Sequence, residues 1–88
     1  MANPTATATL NKSTYAVGET MTLTVNHTDA DRQSIVVAGT VTDSQGNTAT
    51  WQAAATIDAG VVAFTQSGGK VWTLQTATTN QSVYTATA

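Results

Sequence analysis

Apolar and polar side chains alternate with a period of two along most of this chain. Residues 19–27 are the clearest case, with Met21, Leu23 and Val25 interleaved with Thr22, Thr24 and Asn26. Successive side chains of a strand point to opposite sides of a sheet, so this pattern predicts a strand with one buried face. The same reading gives an edge strand over 5–10, where Thr and Ala alternate. It gives a strand over 34–42 with Ile35, Val37, Gly39 and Val41 on one face, and a strand over 48–57 carrying Ala49, Trp51 and Ala53. Shorter strands follow at 61–66 with Phe64, 71–76 with Trp72 and Leu74, and 83–88 with Tyr84. Residues 11–18 read as a bend anchored by Tyr15 and Val17, and a helical pattern at 52–55 is too short to persist.

Turn chemistry separates these runs. Asp43-Ser44-Gln45-Gly46-Asn47 combines residues that tolerate positive φ with residues that bond back to the turn, and predicts a hairpin between its flanking strands. Ser67-Gly68-Gly69-Lys70 predicts a second hairpin. Polar loops are expected at 28–33, 58–60 and 78–82. Seven to eight strands at a spacing of roughly 8–12 residues are the mark of an antiparallel sandwich or barrel. The expected core is Leu10, Val17, Leu23, Val25, Ile35, Val37, Val41, Trp51, Ile57, Phe64, Leu74 and Tyr84.

The chain has 88 residues, room for one domain: an irregular N-terminal arm over 1–4 and a β domain over 5–88. Charged residues make up 9% of it, against about a quarter in an ordinary soluble domain. Threonine takes their place; it is β-branched and keeps an outer face wet without charge. Lys12, Arg32 and Lys70 are scattered and form no stripe that could track a nucleic-acid backbone. No apolar run approaches the roughly 20 residues of a membrane helix. The start has neither a basic region nor an apolar stretch, so no signal peptide is expected, and the lack of cysteine suits a reducing cytoplasm. A surface so poor in charge suits a protein that works docked on something else.

Candidate chemistry is sparse. His27 is the single histidine, at the end of a strand beside Asp29 and Asp31, and no Gly-x-Ser-x-Gly elbow marks a nucleophile, so no catalytic residues are assigned and no enzyme is expected. Asp29 and Asp31, with Glu19, Asp43 or Asp58, are weak candidates for calcium, which takes six to eight oxygen ligands; no complete calcium loop is present, and no cofactor is expected. Trp51, Trp72, Tyr15 and Tyr84 can form either an aromatic platform for sugar or the bulk of the core, and the core reading is favoured because so few other large residues exist.

Leu10-Asn11-Lys12-Ser13-Thr14-Tyr15-Ala16-Val17-Gly18-Glu19-Thr20, with the alternation that follows it, resembles the opening of bacterial and phage immunoglobulin-like domains. Val41-Thr42-Asp43-Ser44-Gln45-Gly46-Asn47 is similar to a recurrent hairpin of those domains, and the stretch from Val83 to the end is similar to their closing strands. The resemblance implies an all-β, antiparallel immunoglobulin-like β-sandwich of seven to eight strands. Function does not follow from the fold, but the context of a single domain, no expected export signal and a threonine-rich surface poor in charge points to a non-catalytic structural protein of a phage particle, assembled in the host cytoplasm and located in the virion. Such a protein decorates or stabilises the capsid or tail by binding a major capsid or tail protein. The alternative is an adhesin-type module binding carbohydrate or a cell surface. Expected partners are other virion proteins or further copies of the chain, with weak glycan binding in the alternative. Partner-binding candidates are Asn3, Pro4 and Thr5 in the arm, Thr28 and Arg32 in the loop at one end of the sandwich, and the edge strand at 5–10, which can add to a partner's sheet.

Overall fold

The computed structural model describes residues 6–28, 32–58 and 61–88. The expected arm, Thr5, the calcium candidates Asp29 and Asp31, and the tip of the 58–60 turn lie outside the described residues.

Eight strands are formed: β1 (Ala6–Leu10), β2 (Thr14–Ala16), β3 (Thr20–His27), β4 (Gln33–Thr42), β5 (Thr48–Asp58), β6 (Val61–Gln66), β7 (Thr73–Ala77) and β8 (Gln81–Thr87). They make two four-stranded sheets, ordered β1-β3-β8-β7 and β2-β4-β5-β6. Every pairing is antiparallel except that of β2, which runs parallel to β4.

The period of two survives intact in the central strands. Met21, Leu23, Val25 and His27 of β3 are buried, as are Ile35, Val37 and Gly39 of β4 and Trp51, Ala53, Ala55 and Ile57 of β5. Tyr84 and Ala86 of β8 close the core, with Phe64 and Trp72 packed against it. Burying each large aliphatic side chain here stabilises the fold by about 1.5–3 kcal/mol before chain entropy is set against it.

Asn11 explains how the first segment serves both sheets. Its N–H donates to the Thr22 carbonyl and its side-chain Oδ1 accepts from the Thr22 N–H, which completes the β1–β3 ladder. The same Oδ1 accepts the Tyr15 hydroxyl, and the Lys12 N–H donates to that hydroxyl. The chain then crosses to the other sheet as β2 with Tyr15 turned into the core. At the far side of β2, Gly18 takes a φ of +91° and its N–H donates to the Ala88 carbonyl, while the Ala88 N–H donates to Glu19.

Three sequence expectations need correction. The 67–70 turn is not a hairpin, because β6 and β7 belong to different sheets. Gly68 and Gly69 have the positive φ values of a tight turn, but Trp72 tucks beneath it, donating from Nε1 to the Ser67 carbonyl and stacking on Phe64. That contact carries the chain across the sandwich. Val17 and Leu74 are not core: they are 63% and 50% exposed. Val17 follows the end of β2 and enters the Gly18 turn. Leu74 stands opposite Tyr84 on β7, an edge strand, and is covered from one side only. Residues 14–16, expected within a bend, form the strand β2 because a parallel partner, β4, lies beside them.

Candidate functional site

The β4–β5 hairpin fixes a concave apolar surface with an aromatic floor. The Asp43 carboxylate accepts from the N–H groups of Gln45 and Asn47, so the hairpin tip is held by its own side chain. Those bonds hold the Asp43 carboxyl below its ordinary pKa, with the Asn47 N–H the largest cause. The resulting register places Gly39 opposite Trp51. The indole packs directly on that glycine: a β-carbon at position 39 would stand 2.5 Å from Trp51 Cζ2. On its other side, a β-carbon at Gly68 would stand 3.0 Å from Trp51 Cε3.

The tryptophan is thus wedged between its own sheet and the β6–β7 turn, with Trp72 tilted against it at 5.5 Å. Above it opens a groove of about 520 Å³ walled by Val17, Val41, Thr50, Gly68 and Lys70 and rimmed by Asp43 and Asn47. The exposed Val17 contributes apolar surface, and Lys70 and Asp43 stand as a cation and an anion on the rim. Trp51 Nε1 is buried and finds no acceptor among the described residues. A donor in that state costs roughly 1–3 kcal/mol. The groove can hold an apolar side chain flanked by polar backbone. It brings together no nucleophile, base and orienting carboxylate.

The sequence-derived candidates are dispersed. His27 is 2% exposed, on the inner face of β3 opposite Ala6, and its Nε2 has no hydrogen-bond partner among the described residues. Thr28 and Arg32 are exposed at the same end of the sandwich as His27, the opposite end from the Trp51 groove. Glu19 pairs with Lys12 and accepts the Ala16 N–H; the Lys12 contact first, then the backbone bond, hold its carboxyl below the ordinary value. Among the described residues no three acidic or histidine side chains gather as a metal site. Of the four large aromatics, Tyr15, Trp51 and Tyr84 are core residues, and only Trp72 keeps substantial exposure.

Gly39 and Gly68 were not among the candidate residues. A signal for the first was present: a turn centred on Gln45 sets residue 39 against 51, a glycine against a tryptophan. Gly68 had no such signal, because its contact with Trp51 runs from the β6–β7 turn to the middle of β5 and no local pattern sets the two together.

No family model, no curated protein and no solved structure matches the chain.

Proposed function

We propose that this chain is an immunoglobulin-like structural module that acts by docking onto other proteins of a larger assembly, a phage particle being the assembly its sequence context favours. The observation that carries the proposal is a two-sheet sandwich whose surface is nearly free of charge and whose end holds an apolar groove over Trp51. A concave surface that is mostly apolar over an aromatic floor, with one cation and one anion on its rim, suits a protein side chain better than a charged substrate.

The order β1-β3-β8-β7 supports the immunoglobulin-like part of the reading, since it corresponds to the A-B-E-D sheet of that fold. The meander β4-β5-β6 then takes the places of C, C′ and C″. Strands corresponding to F and G are not among the eight, and β2 lies parallel against β4 on the side where they would pair. The glycan-binding alternative has less support, because three of its four aromatics are spent on the core.

Fractionation of native material tests the proposal. The expected result is co-migration with virus-sized particles at a fixed ratio to a major coat or tail protein. Free protein that is retained on glycan columns and never sediments with particles would overturn it.

A further inference from the structure

β4 has an unusual edge. It pairs with β5 along its whole length, yet β2 covers its other side only at residues Thr40, Val41 and Thr42. The Thr40 N–H donates to Ser13 and the Thr42 carbonyl accepts from Val17, so Thr40 and Thr42 aim their backbone groups away from β5. Backbone direction alternates along an antiparallel strand. Ser34, Val36 and Ala38 therefore present their N–H and C=O groups on that same side, and no strand pairs with them among the described residues, although β1 of the other sheet runs close to β4.

The usual protections of an edge are missing here. The strand Gln33–Thr42 contains no charged residue and no proline, and its ladder to β5 has no bulge. The other edges are blunted: β1 and β2 have five and three residues, and β6 and β7 each pair through a register shift.

We propose that this edge joins a second copy of the chain, β4 to β4 and antiparallel about a two-fold axis through Val36. Register and symmetry select that occupant. The window of outward-facing backbone runs from Ser34 to Ala38 and its midpoint is Val36. With Val36 facing its own counterpart, Ser34 meets Ala38 of the other copy, and every free backbone group of both copies is paired. Centring on Ile35 instead would leave Ala38 opposite Arg32, beyond the start of the strand. The window ends where β2 begins, at Thr40. A two-fold axis sets like against like, which an edge bearing charge would resist and this one does not. Val36 is 60% exposed on the outer face and would gain a matching valine as neighbour. This inference does not depend on the virion reading.

Sedimentation of the intact protein from micromolar to millimolar concentration tests it. The wild type is expected to show a monomer–dimer equilibrium, and V36K to raise the dissociation constant at least about tenfold by setting two ammonium groups face to face. Because residue 36 points outward, V36K is expected to keep the wild-type melt and circular dichroism under dilute conditions. The chain has no cysteine, so V36C supplies a second reading. Directly opposed residues at this kind of site lie about 5.5 Å apart between α-carbons, within disulfide reach. Oxidation should then give a covalent dimer that a T73C control on the β7 edge does not. A protein that stays monomeric at every concentration would overturn the proposal and leave the edge to a strand from another protein. A dimer indifferent to V36K would overturn it too.

Discussion

The indole of Trp51 occupies the space a side chain of residue 39 would need, so Gly39 and Trp51 act as one packing unit across the β4–β5 ladder. A glycine in mid-strand ordinarily weakens a sheet, because it adds chain entropy and offers nothing to pack. Here the flat ring of the opposed residue covers it, and the tight fit orients the floor of the groove.

Gly39→Ala is therefore expected to destabilise the protein by about 1–3 kcal/mol, the cost of overpacking a tight site. A β-carbon 2.5 Å from the ring must push the indole toward Gly68, where clearance is also short. Denaturant melts followed by tryptophan fluorescence measure the change. The same substitution made in a Trp51→Ala background should cost far less, since the clash partner is gone. Equal costs in the two backgrounds would refute the coupling.

Tyr15 makes a comparable prediction at the crossing between sheets. Its ring is 1% exposed and its hydroxyl links Asn11 Oδ1 to the Lys12 N–H. Tyr15→Phe keeps the packing and removes the link, so it should cost about 1 kcal/mol, the net worth of an ordinary hydrogen bond with some loss from the stranded partners. Tyr15→Ala should cost about 3–5 kcal/mol, as for other large aromatics cut from a core. Chemical denaturation of the two variants separates the hydroxyl from the ring.

Local pattern and tertiary context contributed differently to what could be read in advance. The strand 20–27 and the 43–47 turn were legible because alternation and turn chemistry are local. The short strand β2 was not, since 14–16 is strand only by virtue of a parallel partner about 26 residues away in the chain. The 67–70 turn shows the same limit: two glycines specify a tight reversal but not whether the next strand returns to the same sheet. That choice rests on Trp72 meeting Phe64 and Trp51, which no period of two reveals. The site was less legible than the fold. The groove is built from turns that meet only in space, and the free edge of β4 appears only once the shortness of β2 is known.

Leu23 and Leu74 lie on the same sheet with opposite fates, which gives a sharp contrast. Leu23 is fully buried between β1 and β8, whereas Leu74 is half exposed on an edge strand. Leu23→Ala should cost about 2–5 kcal/mol. Leu74→Ala should cost much less, near the roughly 0.5 kcal/mol scatter of surface substitutions. Urea midpoints of the two variants test the assignment of inner and outer positions. Equal losses would mean that β7 is covered by something other than β8.

Stability should also fall at both ends of the pH scale, for different residues. Burial raises the Tyr84 phenol above its ordinary pKa of 10.0, because the phenolate would sit beside Phe64, whose ring meets Tyr84 edge-on at 5.1 Å. A group whose folded pKa is raised contributes stability that is fully present below the unfolded value and is lost as pH rises through the folded one. Alkaline destabilisation should therefore set in above pH 10 and weaken in Tyr84→Phe. Asp43 has the opposite sign: its carboxyl is lowered from 3.8 by the Asn47 and Gln45 N–H groups. Its contribution is complete above that value and disappears as pH falls through the lowered one. Asp43→Ala should be less stable than wild type at neutral pH and should lose less on acidification. Melting temperature followed across the pH range, with Tyr84→Phe and Asp43→Ala beside the wild type, checks both limbs. An acid limb unchanged in Asp43→Ala would show that the hairpin tip holds its shape without that carboxylate, and would shift the origin of acid sensitivity to Glu19 and its partner Lys12.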